Sequence, residues 1–343
     1  MIATSGPAGP RSAAEGRRGD VIATAPGKLI LAGEYAVLDG APALVVAVDR
    51  RVVARRLGGP RGTAPLLVTL ADVLAERLGP DHAATRAAFE IAVDSSAMFA
   101  GEHKLGLGSS AAVTVAATAL ALAAEHSGPD AIPVIDRALV AEIAHEAHGR
   151  VQARRGATGS GTDIAAAVHG GVIEFRNRLL DRLSWPAGVT LLPFFTGASA
   201  DTPSLVARVA EARAVHPVEV GAALTSIAET ARAACQACRA RSPAMAATGL
   251  ISALGLAATA FDRLAQVTGI ALVPPCVTRA RAALQPLGGT AKTTGAGGGD
   301  VAIAVIPATE DATRARRLLI EVGCQPLELK VDHAGVDLGP DVQ

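Results

Sequence analysis

Two glycines and two serines lead into an alanine-rich segment with helical spacing, and this combination is the clearest candidate for chemistry in the chain. The stretch reads Lys104-Leu105-Gly106-Leu107-Gly108-Ser109-Ser110-Ala111-Ala112. Glycine lets the backbone approach a ligand closely, and the free N–H groups and the dipole of a helix N-terminus favour a phosphate. Ser109 and Ser110 can cap the helix or bind a phosphate or a metal ion. The stretch therefore predicts an anion-binding turn.

Three other interpretations of this turn are weaker or remain open. The spacing Gly106-x-Gly108-x-x-Ala111 imitates a dinucleotide fingerprint, but that motif follows a strand directly, and the strand-like run 89–93 ends well upstream. A membrane span needs about 20 strongly apolar residues, whereas the uncharged segment 107–124 is mostly alanine, threonine and serine. A helix that is capped without any ligand stays an alternative.

Two further segments carry groups suited to phosphate chemistry. Asp163 follows a Gly-Ser-Gly turn, which can present a carboxylate at the end of a loop toward a cleft, although an aspartate there can also be a helix N-cap. Residues 295–299 contain four glycines, and their backbone N–H groups can face an anion. A simple β-turn or bulge is a poor explanation for so many glycines.

Cysteine and histidine clusters give weaker signals. Cys235 and Cys238 form a C-x-x-C in a helical pattern without a second pair, so thiols that pack between helices are favoured over a zinc or redox site. His145 and His148 share a predicted helix with two glutamates, but not with the His-Glu-x-x-His spacing of a metal site. Arg154 or Arg155 can bind a substrate phosphate, because arginine makes forked, charge-assisted pairs with phosphate.

Composition limits the class of protein. A chain of 343 residues is long enough for about two domains. Its 32 basic and 32 acidic residues balance, which argues against a partner that is a nucleic acid or a membrane surface. Four scattered cysteines do not make a disulfide framework. Residues 1–19 are rich in Gly, Pro, Ala and Arg and predict a disordered N-terminal tail on a cytoplasmic protein.

The elements that position these residues follow from the hydrophobic pattern. Strands are predicted at 21–25, 29–32 and 43–48, with turns at Pro26-Gly27 and Asp39-Gly40 between them. Further predicted elements are a helix at 65–78, a strand at 89–93, a helix at 132–152, strands at 171–175 and 189–195, helices through 203–267 and a strand at 301–306. The pattern restarts near Trp185-Pro186, the predicted domain boundary. Because strands and helices do not alternate strictly, the fold class is α+β.

Taken together, three segments resemble the three motifs of the GHMP kinases in order and approximate spacing. They are residues 25–38 (APGKLILAGEYAVL), 104–112 and 292–300 (KTTGAGGGD). This resemblance implies ATP-dependent phosphorylation of a small metabolite and a two-domain α+β fold. It implies a βαβ-type nucleotide-binding domain over residues 20–185 and a ferredoxin-like α/β sandwich domain over residues 186–343.

Within that superfamily the sequence is most similar to the phosphomevalonate kinase family. The similarity rests on Lys104 before the glycine turn, on Asp300 after the last glycine cluster, and on residues 33–38, 159–168 and 196–200. Mevalonate kinases usually carry a metal-binding glutamate where this chain has Gln152. Ala111, the pair Phe194-Phe195 and Asp201 depart from the family pattern, so the acceptor pocket is less well defined than the ATP site.

The resemblance also implies roles for individual residues. Lys28, Asp163 and Lys104 are the expected catalytic residues, with Lys28 near Asp163, and Ser110 is the expected Mg²⁺ ligand. The expected ATP-binding residues are Gly106, Leu107, Gly108, Ser109, Ser110, Ala111 and Ala112. The expected substrate-binding residues are Lys28, Tyr35, Lys104, Arg154, Ser199, Thr294, Gly295 and Gly297.

The implied reaction converts phosphomevalonate and ATP to mevalonate 5-diphosphate and ADP, in a protein that is a monomer or a homodimer. Mevalonate kinase, homoserine kinase and a non-catalytic ligand sensor on the same scaffold are the alternatives. The sensor is disfavoured because Lys28, Ser110 and Asp163 are all present.

Overall fold

The computed structural model describes residues 21–57, 64–126, 133–154, 156 and 159–341. The predicted tail, residues 1–19, and Arg155 lie outside these residues. In chain order the elements are β1 (Val21–Ala32), β2 (Ala43–Arg56), α1 (Pro65–Leu78), α2 (Ala83–Ala88), β3 (Ile91–Asp94), β4 (Phe99–Ala100), β5 (His103–Lys104), α3 (Ser109–Ala123), α4 (Arg137–Ala153), α5 (Thr162–His169), β6 (Val172–Arg176), β7 (Leu179–Leu183), β8 (Val189–Phe195), α6 (Thr202–Val215), α7 (Pro217–Arg239), α8 (Pro243–Thr268), α9 (Pro275–Leu284), β9 (Thr290–Thr293), β10 (Val301–Pro307), α10 (Ala312–Glu321), β11 (Gln325–Pro326) and β12 (Asp337–Pro340).

The first sheet holds the strands that carry the N-terminal part of the site. Its strand order is β12-β1-β2-β6-β7, and β3 pairs with the far end of the long strand β2. Helices α3 and α5 pack against β1 and β2. Residues 43–48 of β2 are all apolar and buried, as expected for a strand that is covered on both faces, whereas residues 49–56 include one aspartate and four arginines.

The second sheet has four strands in the order β11-β8-β10-β9. Helices α6 to α9 connect β8 to β9, and α10 connects β10 to β11. This is the split βαβ connectivity of a ferredoxin-like sandwich, as the resemblance implies.

One hydrophobic core joins the two sheets. The largest buried cluster contains Val115 of α3, Leu254 of α8 and Ile303 of β10, together with apolar side chains of β1 and β2. The two halves are therefore packed into each other, rather than only tethered by the segment around Trp185.

The prediction of a two-domain α+β fold is confirmed, with three differences in detail. Strand pairing among the described residues is antiparallel throughout, so no two neighbouring strands of the first sheet are parallel. β12 returns to pair with β1, so the last residues of the predicted C-terminal domain complete the first sheet. Pro26-Gly27 is a shift of register inside β1 instead of a turn.

Helix α8 is the one described helix with the length and composition to cross a membrane. In the fold it packs along α7, and Leu250, Leu254, Phe261 and Leu264 are buried. A core helix of a globular domain has the same properties, so its apolar character is explained by packing.

Candidate active site

A cleft of about 440 Å³ lies where the three glycine-containing segments meet. We call it the cleft, and its walls come from both halves of the chain. The predicted site residues that line it are Lys28, Tyr35, Lys104, Gly106, Gly108, Ser109, Ser110, Asp163, Thr294, Gly295 and Gly297. Leu107, Ala111 and Ala112 are buried in the core beneath it.

Lys28 reaches the cleft from β1, a strand held close to the glycine turn. The Lys28 N–H donates to Leu107 O at 2.9 Å. A Cβ on Gly27 would lie 2.9 Å from the same oxygen, so only glycine allows this approach. The Lys28 side chain is 10% exposed, and Nζ lies 3.5 Å from Asp163 Oδ1. The structure thus brings Lys28 and Asp163 together.

Asp163 stands in the first turn of α5. The N-cap of this helix is Gly161 at φ 87°, so Asp163 is not the N-cap residue. Its Oδ1 accepts a hydrogen bond of 3.0 Å from Thr162 Oγ1. The carboxylate is held at a helix N-terminus, beside a lysine ammonium group, and faces the cleft.

The glycine turn ends directly in the N-terminus of α3. Gly106 and Gly108 have φ of 72° and 76°, a region that favours glycine. Gly108 is the N-cap and has no side chain, so it leaves the first N–H groups of α3 without a side-chain acceptor. Ser109 and Ser110 are helical and line the cleft. Neither serine of this turn therefore caps α3, and the N-terminus can receive an anion.

The third glycine segment closes the opposite wall. β9 ends at Thr293, and Thr294 Oγ1 then donates to Val301 O at 2.5 Å. A Cβ on Gly297 would overlap Leu272 O, and one on Gly299 would lie 2.7 Å from Ala198 O. These glycines are required by close backbone contacts.

Asp300 is a charged group of the cleft that was not among the predicted site residues. It adopts φ 58°, and its Oδ1 accepts the Ala200 N–H at 3.0 Å. Burial raises the pKa of this carboxyl, while that hydrogen bond and the charges of Lys28 and Lys104 oppose the rise. A Cβ on Gly106 would overlap Asp300 Oδ2, so the second and third glycine segments touch here.

Several predicted residues have other partners. Arg154 donates to Thr69 Oγ1 at 3.0 Å and is not among the described residues that line the cleft, so its contact with the substrate stays a prediction. Ser199 is also absent from the lining, and its Oγ donates to Lys104 O at 3.4 Å. The Tyr35 hydroxyl donates to Ala296 O at 2.7 Å.

The cysteine and histidine clusters form no metal site in the part of the chain that the structure describes. Cys235 and Cys238 are free and buried, and burial raises the pKa of the Cys238 thiol to about 11. They pack in the core, as predicted. The His145 ring packs on Gly161, where a Cβ would lie 3.0 Å from Nδ1. His148 and Gln152 line the cleft with their nitrogens 3.2 Å apart.

Comparison with known proteins shows which family this chain resembles. The family model described as GHMP kinases N terminal domain matches residues 65–171. The chain is 29% identical to a phosphomevalonate kinase from Streptomyces sp. (strain CL190), over 92% of this chain and 98% of that protein. It is 30% identical to a mevalonate kinase from Aeropyrum pernix, over 92% of this chain and 97% of that protein.

The fold is also similar to solved structures. One is the Streptococcus pneumoniae phosphomevalonate kinase in complex with phosphomevalonate and AMPPNP, with a TM-score of 0.72 and 20% identity. That match covers 90% of this chain and 99% of the other.

Proposed function

The chain belongs to the GHMP kinase family, and from that premise we propose that it transfers the γ-phosphoryl group of ATP to the phosphate of 5-phosphomevalonate. The product is mevalonate 5-diphosphate, a precursor of isoprenoids in the mevalonate pathway. The observation that carries the proposal is the Lys28–Asp163 pair at 3.5 Å, in the same cleft as the uncapped N-terminus of α3.

The ATP phosphates fit the glycine turn. Gly106, Gly108, Ser109 and Ser110 line the cleft, and the backbone N–H groups of the first turn of α3 supply donors for phosphate oxygens. Leu107, Ala111 and Ala112 contribute backbone here, while their side chains anchor the turn in the core.

Ser110 is the residue that would hold Mg²⁺. Its hydroxyl is an oxygen donor in the cleft, and Mg²⁺ takes oxygen ligands, of which water and substrate phosphates usually supply several. The absence of a cluster of metal-ligating side chains among the described residues is compatible with that mode of binding. When bound, the ion would neutralise charge on the phosphates.

Phosphoryl transfer needs alignment and charge neutralisation more than covalent help from the protein. An acceptor phosphate oxygen forms the bond to the γ-phosphorus as the bond to the β-phosphate oxygen of ADP breaks. That acceptor oxygen is already anionic at neutral pH, so a strong base is not needed. Asp163 then acts mainly by holding Lys28, whose ammonium group stabilises the transferring phosphoryl group. Lys104 supplies a second positive charge at the edge of the cleft.

The acceptor is proposed to be phosphomevalonate rather than mevalonate because of one position in the cleft. Gln152 lines the cleft where mevalonate kinases usually carry a metal-binding glutamate. The segment that departs from the phosphomevalonate kinase pattern also has a structural explanation, because Asp201 is the N-cap of α6 and accepts the Ser204 N–H at 3.4 Å.

We propose that the enzyme works in the cytoplasm as a monomer or homodimer.

A coupled assay for ADP with phosphomevalonate, mevalonate and homoserine tests the acceptor. We expect turnover with phosphomevalonate only, and a ³¹P spectrum of the product that contains a diphosphate. Asp163→Ala is the negative control, measured together with the binding of a non-hydrolysable ATP analogue. Good turnover of mevalonate with none of phosphomevalonate would overturn the choice of acceptor. Full activity of Asp163→Ala would remove that residue from the mechanism.

A further inference from the structure

A fully buried ion pair joins the end of β1 to β9, and the phosphoryl transfer described above does not use it. Lys292 Nζ donates to Glu34 Oε1 and, at 2.6 Å, to Thr293 O. The two side chains are 1% and 2% exposed. Burying a charged pair carries a large desolvation penalty, and an apolar pair of similar size is often at least as stable. Stability alone is therefore a weak explanation for this pair.

Tyr35, which follows Glu34 in the sequence, makes a second connection to the segment that begins at Lys292. Its hydroxyl donates to Ala296 O at 2.7 Å, and its backbone adopts φ 60°, which is unusual for a residue other than glycine. Phe261 lies between the two connections, with its ring centroid 6.0 Å from the Tyr35 ring and 6.0 Å from Lys292 Nζ. Glu34 and Tyr35 thus hold both ends of residues 292–296.

The residues between these two connections belong to the cleft. Thr294 and Gly295 line it, as does Gly297 just beyond. β1, which carries Lys28, ends two residues before Glu34. One stretch of chain therefore presents the ammonium group next to Asp163 and also holds the opposite wall in place.

We propose that Glu34 and Lys292 are positioning residues. Together with Tyr35 they fix residues 294–297 relative to Lys28, so that phosphate groups bound between the two walls are aligned for transfer. This inference rests on the proposed kinase function. It predicts that loss of the ion pair lowers kcat, because misalignment of the bound phosphates by a fraction of an ångström weakens interactions that form only in the transition state.

A second ion pair between the two halves, with side chains 19% to 71% exposed, provides a control. Arg239 of α7 donates to Glu174 of β6 and, at 2.8 Å, to Asp181 of β7. None of these three residues is among those that line the cleft in the described part of the chain. If ion pairs between the halves act only by holding the fold together, Arg239→Met and changes at Glu34 or Lys292 will alter activity in the same way.

The decisive variant is the double substitution Glu34→Gln and Lys292→Met. Each single substitution leaves a buried charge without its partner and is expected to lower Tm strongly. The double variant removes both charges, so its Tm recovers above those of the singles, whereas kcat stays about tenfold or more below wild type with a smaller change in the KM values. Arg239→Met is expected to lower Tm and leave kcat unchanged.

Tyr35→Phe keeps the buried ring and removes only the hydrogen bond to Ala296, so it tests the same idea without a charge change. We expect kcat to fall about fivefold with little change in Tm, consistent with the loss of one hydrogen bond. A folded double variant, or Tyr35→Phe, with kcat within about twofold of wild type would overturn the proposal. A wild-type protein that binds an ATP analogue in calorimetry but phosphorylates none of the acceptors would instead contradict the proposed function.

Discussion

At the scale of single residues, the cleft is organised by contacts between charged groups and glycines. Lys28 and Asp163 lie 135 positions apart in the sequence (163 − 28) and 3.5 Å apart in space. Gly108 lets them meet there, since a Cβ at that position would lie 3.2 Å from the Lys28 side chain and 3.4 Å from Asp163 Oδ2. The charges and the glycine thus form one unit, and changes to them should not act independently.

Substitution of the charged pair tests this unit. Asp163→Asn and Lys28→Met should each lower kcat by about 10² to 10³, the range seen when one group that stabilises transition-state charge is removed. Because the two side chains act through each other, the double variant should lose little more than the worse single variant. Steady-state kinetics on all three variants checks this. Losses that simply multiply would show that the two groups work separately.

The pH dependence of stability should show the effect of the raised pKa of the Asp300 carboxyl. Its pKa is raised in the folded state by burial, so the folded protein binds this proton more tightly than the unfolded chain does. Ionisation therefore lowers stability as pH rises from the usual carboxyl pKa through the raised value. Asp300→Asn, which suits φ 58° and keeps an acceptor for Ala200, should be more stable than wild type at pH 7. The difference should vanish below about pH 4.

Urea unfolding at pH 7 and near pH 4 measures this effect, and Asp311 provides the control of opposite sign. Asp311 is the N-cap of α10, and hydrogen bonds from the Thr313 and Arg314 N–H groups lower its pKa. Asp311→Asn should thus be no more stable than wild type at pH 7. An Asp300→Asn variant that is equally stable or less stable at pH 7 would contradict the assignment.

At the scale of secondary structure, an element could be predicted from the sequence when nearby residues alone determine where it begins and ends. The helix at 65–78 and the strand at 189–195 are observed with the predicted bounds, because proline at N1 and a largely apolar run define them locally. Pro26-Gly27 was predicted as a turn, yet β1 continues through it, because the bulge lets the strand approach Leu107. Local patterns cannot reveal a requirement imposed by a distant segment.

The same reasoning applies to the candidate site. Each glycine segment has its own local pattern, so Lys28, Ser110 and Asp163 could be proposed from the sequence, and all three line the cleft. The Glu34–Lys292 pair spans 258 positions, and nothing local to either residue indicates its partner. Asp300 directly follows three glycines, and this pattern could have indicated a site residue. Its contact with Gly106 is seen only in the folded structure. Arg154 was selected by residue type alone, and its guanidinium group contacts Thr69.

A pair of glycine substitutions isolates the contact between the second and third glycine segments. Gly106 and Gly101 both have positive φ, at 72° and 58°, but no atom would lie within 4 Å of a Cβ on Gly101. Gly101→Ala should cost about 1–2 kcal/mol for the backbone conformation alone. Gly106→Ala bears the same cost plus the overlap with Asp300, so it should be clearly less stable in urea unfolding.

A compensating change identifies the cause of that extra loss. In Gly106→Ala combined with Asp300→Gly, the overlapping carboxylate is removed and positive φ is retained without strain at residue 300. The loss in free energy of unfolding of this double variant should be smaller than the summed losses of the two single variants by about 1 kcal/mol. Strict additivity would mean that the overlap is relieved elsewhere in the structure.

At the scale of the whole molecule, the cleft exists because two sheets share one core. β12 completes the first sheet from the C-terminal end of the chain, and α7 and α8 contribute buried side chains to the cluster that also contains α3. Neither half therefore buries all of its core side chains without the other half. Two-domain proteins often unfold in separate steps, but this arrangement favours a single cooperative transition.

The chain's only tryptophan makes that prediction measurable, because Trp185 lies at the junction of the two halves. Its Nε1 donates to Val189 O at 2.8 Å, and its ring packs against the shared core. In urea, Trp185 fluorescence and far-UV circular dichroism should give the same midpoint and the same m-value. Arg239→Met, which removes an ion pair between the halves, should shift both midpoints downward together. If the sheets were independent, circular dichroism would instead show a step that the fluorescence does not follow.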